Sequence, residues 1–191
     1  ITDGMPGIGG KLREKPDHFV VDEIPLYEPC GDGQHLYVNL TKVGQTTKEV
    51  QRKLARLYSL KERDVGFAGM KDKYARTTQT FSLSVGHQDQ TFVDEASSRI
   101  EENLPVAVNW VSQHQNKLRP GHLLGNRFRI VITELAIPPD QASIRAHSIT
   151  ERLVESGMPN YFGPQRFGQN GANIDKGLRV LLRKQYVKDR W

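Results

Sequence analysis

Over His35–Lys42 the apolar positions Leu36, Val38 and Leu40 recur with period two, which predicts a half-buried strand. His18–Ile24 predicts another. The period then changes. Val50, Leu54 and Leu57, at i, i+4 and i+7, place one apolar face on a helix, and Thr46 with Glu49 three residues on forms the capping box that opens it. Lys48, Arg52, Lys53 and Arg56 fall on the other side and read as a solvated face. An apolar run, Val65 to Met70, and a second hydrophobic segment beginning near Thr77 predict two strands joined by a charged tip. A helix is expected over Gln90 to Asn103, a strand near Val106–Ser112 and another over Arg127–Glu134. Pro138-Pro-Asp starts a helix whose Ala142, Ala146, Ile149 and Leu153 form an apolar stripe and which Gly157 ends. Asn160 to Asn173 reads as a structured loop, and a last helical run covers Ile174 to Tyr186.

Hairpin connections and crossovers mix irregularly in this order. That predicts an α+β fold, a mixed and mainly antiparallel sheet with helices packed on it. The chain has 191 residues and shows no repeat, linker or low-complexity tract, so one domain over 1–191 is expected. Apolar residues make up 37% and charged residues 26%, enough for a packed core, and no apolar run approaches the ~20 residues that span a bilayer. A single cysteine, Cys30, excludes an internal disulfide and fits a reducing cytoplasm. Net charge is +5 and the pI about 9.3, which suits a polyanion such as RNA. The Gly-rich stretch Gly4 to Lys11 is not a phosphate loop: Leu12 stands where Ser or Thr should follow Gly-Lys. It reads as a flexible lead-in. No His/Cys pair has metal-ligand spacing, so neither a metal nor another cofactor is expected.

The charged tip carries the candidate chemistry. Asp72 sits between Lys71 and Lys73, and flanking cations favour the ionised carboxyl. Held at the edge of a rigid sheet, such a carboxylate can serve as nucleophile or general base. The residues alone leave open a solvated turn.

Phe67-Ala-Gly-Met-Lys-Asp-Lys followed by Thr77-Thr-Gln resembles the catalytic signature of the TruD family of pseudouridine synthases. Three more segments agree in chain order. They are Arg13-Glu-Lys-Pro-Asp-His-Phe-Val-Val-Asp-Glu, Lys117-Leu-Arg-Pro-Gly-His-Leu-Leu-Gly-Asn-Arg-Phe-Arg-Ile and Pro159-Asn-Tyr-Phe-Gly-Pro-Gln-Arg-Phe-Gly. Asp17 stands where the family usually has Glu. The resemblance covers nearly the whole chain, but the family continues well past Val187-Lys-Asp-Arg-Trp, so this sequence matches its amino-terminal part.

The resemblance implies the pseudouridine-synthase core and an RNA-modifying isomerase. Its reaction breaks a uridine's N-glycosidic bond, turns the base and rejoins it through carbon, without a cofactor. The expected substrate is tRNA, at uridine-13 in the D-arm. Asp72 takes the place of the attacking carboxylate. Arg13 is one candidate for the cation that holds its charge, and Lys71 is the other. Asn126 and Phe128, two residues apart on one strand face, take the family's places for hydrogen-bonding and stacking on the flipped base; by alternation with Ile130 and Ile132 alone, Phe128 is a core residue. Lys73, Arg76, Lys117, Arg119 and Arg127 flank these motifs and are candidate phosphate contacts. Gln165 and Arg166 either contact RNA or brace the catalytic hairpin. The alternative reading is a noncatalytic RNA-binding module or an inactive fragment. Neither a membrane nor a protein partner is implied.

Overall fold

The computed structural model describes residues 1–158, 167 and 171–188. It divides into two compact units, Ile8–Pro139 on the one hand and Ile1–Gly7 with the residues from Asp140 on the other. In chain order the first unit contains β1 (Lys11–Leu12), β2 (Phe19–Pro25), β3 (His35–Lys42), α1 (Thr47–Leu57), β4 (Val65–Phe67), β5 (Arg76–Ser84), α2 (Gln90–Asn103), β6 (Val106–His114), β7 (Leu123–Ile130) and β8 (Ile132–Thr133). Helices α3 (Pro139–Ser156) and α4 (Ala172–Lys188) follow.

Five strands form the path β6-β3-β5-β2-β7, and β4 adds to β5 as a sixth. Among the described strands only β2 and β5 pair in parallel; the other ladders are antiparallel. This is the mixed, mainly antiparallel α+β sheet that the hydrophobic pattern predicts. From Thr77 to Ser84 β5 pairs with β3. Its opposite edge is divided: Arg76–Thr78 pair with β2, whereas Phe81–Leu83 pair with β4. The connection from β4 to β5 therefore leaves the sheet where two strands share one edge.

Directly opposed residues share a sheet face. The registers accordingly place Leu36, Val38, Leu40 and Lys42 of β3 on one face with Thr77, Gln79, Phe81 and Leu83 of β5. That face continues through Val21 to Phe128, and through Glu23 to Asn126. On the β3–β5 half it is the core, where Leu36, Val38, Leu40, Phe81 and Leu83 pack with Val50, Leu54 and Ala55 of α1 and Val93, Ala96, Ile100 and Leu104 of α2. Burying each large apolar side chain stabilises the fold by about 1.5–3 kcal/mol. On the β2–β7 half the same face lies open: Phe128 is 55% exposed.

Local signals explain the element ends. The Thr46 hydroxyl accepts from the Glu49 backbone N–H (3.1 Å), and the Glu49 carboxylate accepts from the Thr46 N–H (2.6 Å), closing the capping box of α1. Asp89 caps α2 by accepting from the Phe92 N–H (2.9 Å). In α3 the stripe has Ala142 buried and Ala146, Ile149 and Leu153 half-buried, whereas most positions between them are exposed, and Gly157, at φ 76°, follows its end. In the same unit Arg145 and Arg152 donate to the carbonyls of Gly7 and Ile1.

Two expectations change. The strand placed over Arg127–Glu134 is β7 and β8, and β7 starts at Leu123 because β2 offers it a ladder out to Pro25. Glu134, at φ 47°, lies outside the strand conformation. The Gly-rich lead-in also acquires structure at its end, where Lys11 and Leu12 pair with Thr133 and Ile132. Gly10 (φ 106°) permits this approach, since a Cβ there would lie 2.6 Å from the Ile132 side chain.

Candidate active site

Asp72 lies in the connection between β4 and β5, as the strand–tip–strand pattern predicts. Gly66 lets β4 enter this arrangement. A Cβ at that position would run into the Leu118 carbonyl and lie 2.6 Å from the Ser82 hydroxyl, so only glycine fits beneath the segment leading to β7.

Of the two candidate cations, Arg13 stands beside Asp72. Its guanidinium nitrogen is 3.8 Å from the Asp72 carboxylate, at ion-pair distance, and both side chains are part exposed. Arg13 adopts φ 60°, a left-handed backbone uncommon for a residue with a side chain. The same guanidinium covers the Phe19 ring, 3.9 Å from its centroid. The ring of Phe19 in turn meets that of Phe128 edge to face, with centroids 6.0 Å apart. Carboxylate, guanidinium, buried ring and exposed ring thus form a continuous row. Asn126 lies on the same face as Phe128, opposite Glu23 of β2, and among the described residues its side chain makes no hydrogen bond to protein. The site offers a carboxylate whose neighbouring charge is positive, an open π-face and a free amide.

Lys71 is committed elsewhere. Its ammonium sits 2.7 Å from a Glu23 carboxylate oxygen, with both side chains buried. The other Glu23 oxygen accepts from the Thr80 backbone N–H (3.2 Å). This pair ties the Asp72 connection to β2 and β5 from within.

Lys73 lies 3.6 Å from Glu49, whose carboxyl is held below its usual range by the Thr46 backbone N–H. Arg76 donates to Asp17 at 2.5 Å; this hydrogen bond lowers the Asp17 carboxyl from its ordinary value, and it gives the shortened acid a local partner. Lys117 donates to the Arg63 carbonyl. Arg119 is exposed. Arg127 alternates with Asn126 and Phe128 and so belongs to the other sheet face, opposite Asp22. The structure thus gathers Asp72, Arg13 and Phe128 at one place, with Lys73 and Arg76 near in sequence. Gln165 and Arg166 lie outside the described residues.

Phe19, Glu23 and Lys42 were missed as site residues. Phe19 and Glu23 stand four residues apart in a predicted strand, which puts both on one face, and that face holds Asn126 and Phe128. Lys42 continues the inward phase of Leu36, Val38 and Leu40. It is 1% exposed, and its ammonium donates to the carbonyls of Gln45 (2.8 Å) and Asp72 (3.0 Å).

A family model described as tRNA pseudouridine synthase D (TruD) matches residues 1–187. A tRNA pseudouridine synthase D of Thermus thermophilus is 41% identical over 181 residues, 95% of this chain and 48% of the relative. That of an Anaeromyxobacter species is 44% identical over 184 residues, again 95% and 48%. A crystal structure from Methanosarcina mazei assigned to tRNA pseudouridine synthase D superimposes with a TM-score of 0.71 at 31% identity, covering 86% of this chain and 36% of that one. The chain spans about half the length of these curated relatives. The match over residues 1–187, with curated relatives more than 40% identical over nearly all of this chain, gives one assignment: the chain belongs to the TruD family of tRNA pseudouridine synthases.

Proposed function

We propose that this chain carries the catalytic centre of an isomerase that converts a uridine of tRNA to pseudouridine, with uridine-13 of the D-arm as target. The row Asp72–Arg13–Phe19–Phe128 is the observation that carries this reading. A uracil turned out of its stack needs a π-face in place of the neighbours it lost and a polar partner on its edge. The exposed ring of Phe128 supplies the first and the Asn126 amide the second. Asp72 attacks the bound nucleotide. The N1–C1′ bond breaks, the base turns, and a C5–C1′ bond forms; C5 then loses its proton and N1 ends protonated, so no redox partner or cofactor enters the balance. Arg13 supports the Asp72 carboxylate with a fixed positive charge, and Lys73 and Arg76, the basic residues that follow Asp72 along the chain, contact the RNA phosphates.

The test uses intact protein and unmodified tRNA labelled as [5-³H]uridine. Wild type should release tritium from one position and Asp72→Asn should release none while still binding the RNA. Equal release by both would remove Asp72 from the chemistry. Binding without release by either would favour the noncatalytic RNA-binding reading.

A further inference from the structure

The connection that carries Asp72 is held by its backbone, and from several directions. Gln79 donates to the Gly69 carbonyl (3.2 Å) and accepts from the Thr47 hydroxyl (2.8 Å). That hydroxyl accepts from the Lys71 N–H (2.8 Å). Gly44 N–H donates to the Lys73 carbonyl (3.1 Å). Lys42 completes the set, since its ammonium binds the Asp72 carbonyl on one side and the Gln45 carbonyl on the other. Gly69, Lys71, Asp72 and Lys73 are thus each gripped at a main-chain atom, and Lys42, Thr47 and Gln79 are all 1% exposed or less.

A lysine placed here is costly. Its ammonium lies in the inward row of β3, directly after Leu36, Val38 and Leu40, where an apolar residue would add to the core. Its bonds join two main-chain segments, the one that starts α1 and the one that bears Asp72. Neither carbonyl needs a cation merely to be satisfied. A charged donor makes a hydrogen bond roughly twice as strong as a neutral one, however, and so gives a stiffer tether. Reactive side chains must be held within about 0.5 Å of productive geometry, and a displacement near 1 Å can cost on the order of 10²-fold in rate.

We propose that Lys42 is a positioning residue for the isomerisation: its buried ammonium pins the Asp72 main chain to the entry of α1 and so fixes where the Asp72 carboxylate stands. This inference rests on the reading of Asp72 as the attacking group. Lys42 makes no ion pair with the carboxylate and does not reach the site surface; its bond is to the backbone of Asp72, whose charge also favours the protonated lysine. The groups around it are Asp72 and Lys71 on the catalytic connection and Glu49 on α1. Burial lowers the Lys42 ammonium from its ordinary 10.5 to about 8, so the tether is charged at neutral pH and loses its proton in mildly alkaline solution.

The experiment measures single-turnover tritium release and tRNA binding for intact wild type, Lys42→Met and Asp72→Asn. Methionine fills the same space, and exchanging a buried charge for an apolar side chain is often tolerated by the fold. Lys42→Met should lose roughly 100-fold in the chemical rate with tRNA affinity unchanged, because the placement of the carboxylate is disturbed. A wild-type rate in Lys42→Met, with Asp72→Asn inactive, overturns the pin and leaves the nucleophile standing. A wild-type rate in Asp72→Asn removes both. Should Lys42→Met not fold, the wild-type protein decides, with the Lys42 ammonium titrated by NMR alongside the chemical rate. A rate that falls with that titration while the protein stays folded supports the tether, and a rate that stays flat through it overturns the tether.

Discussion

Arg13 serves two neighbours with one guanidinium, Asp72 at 3.8 Å and the face of Phe19 at 3.9 Å from its centroid. A lysine could supply the charge but would not lie flat on the ring. Arg13→Ala should therefore lower the single-turnover rate by on the order of 10²-fold, and Arg13→Lys should recover part of it, measured by tritium release at saturating enzyme. Recovery to the full wild-type rate by lysine would mean that stacking on Phe19 contributes nothing. Lys71 poses a different case. Glu23→Gln leaves its ammonium buried without a counter-charge, an uncompensated state that costs about 3–5 kcal/mol. The double variant Glu23→Gln/Lys71→Met should regain much of that loss in urea unfolding, because no charge then stays buried. If the single variant were as stable as wild type, the pair would be dispensable to the fold.

At the scale of elements, the capping box does more than start a helix. Glu49 closes it and also faces Lys73 at 3.6 Å, so the entry of α1 is linked to the residue after Asp72. Thr46→Ala should cost about 1 kcal/mol of stability in urea unfolding, with a smaller effect if water replaces the hydroxyl at the Glu49 N–H. This box was legible in the sequence, as were the bounds of α2 and the phase of β3, because each rests on neighbours within one turn or one pleat. The hairpin tip at Asp72 was legible for the same reason, and Asn126 and Phe128 share a face by simple alternation. Partners across the sheet were not. Glu23 lies 48 residues from Lys71, and nothing local names it; the reading of Lys71 as a cation for Asp72 came from adjacency along the chain, while the fold turns its side chain inward to β2. Likewise β7 begins four residues before the predicted strand because β2 was waiting to pair with it. Lys42 lay between these cases: the inward phase was visible and the Gln45 carbonyl is only three residues on, but the lysine becomes a tether only once the Asp72 carbonyl, 30 residues away, is brought to it.

For the molecule as a whole, four buried or half-buried titratable groups, His35, His114, Lys42 and Tyr37, set a pH dependence of stability with three parts. His35 and His114 are both lowered from 6.5, chiefly by burial. The unfolded chain then binds more protons, and stability rises as pH increases toward about 6.5. Lys42, lowered from 10.5 to about 8, has the same sign over a later window. Its charged form is disfavoured in the folded state, so stability should climb again between about pH 8 and 10.5 as the native protein sheds a proton that the unfolded chain keeps. Tyr37 works against it. Burial and its hydrogen bond with Tyr27 raise the phenol well above 10, so stability is lost above about pH 10, where the unfolded chain ionises and the native one does not. Urea midpoints at half-unit steps from pH 5 to 10.5 should show a rise, a plateau near neutrality, a second rise beginning near pH 8 and a fall at the alkaline end. Lys42→Met should abolish the second rise and leave the first untouched; its persistence would assign that proton to another group. The opposite signs are informative together with the chemical rate. Over the window in which loss of the Lys42 proton makes the fold more stable, it weakens the tether on Asp72, so stability and isomerisation should move apart with pH, whereas a lysine that served packing alone would move only the first.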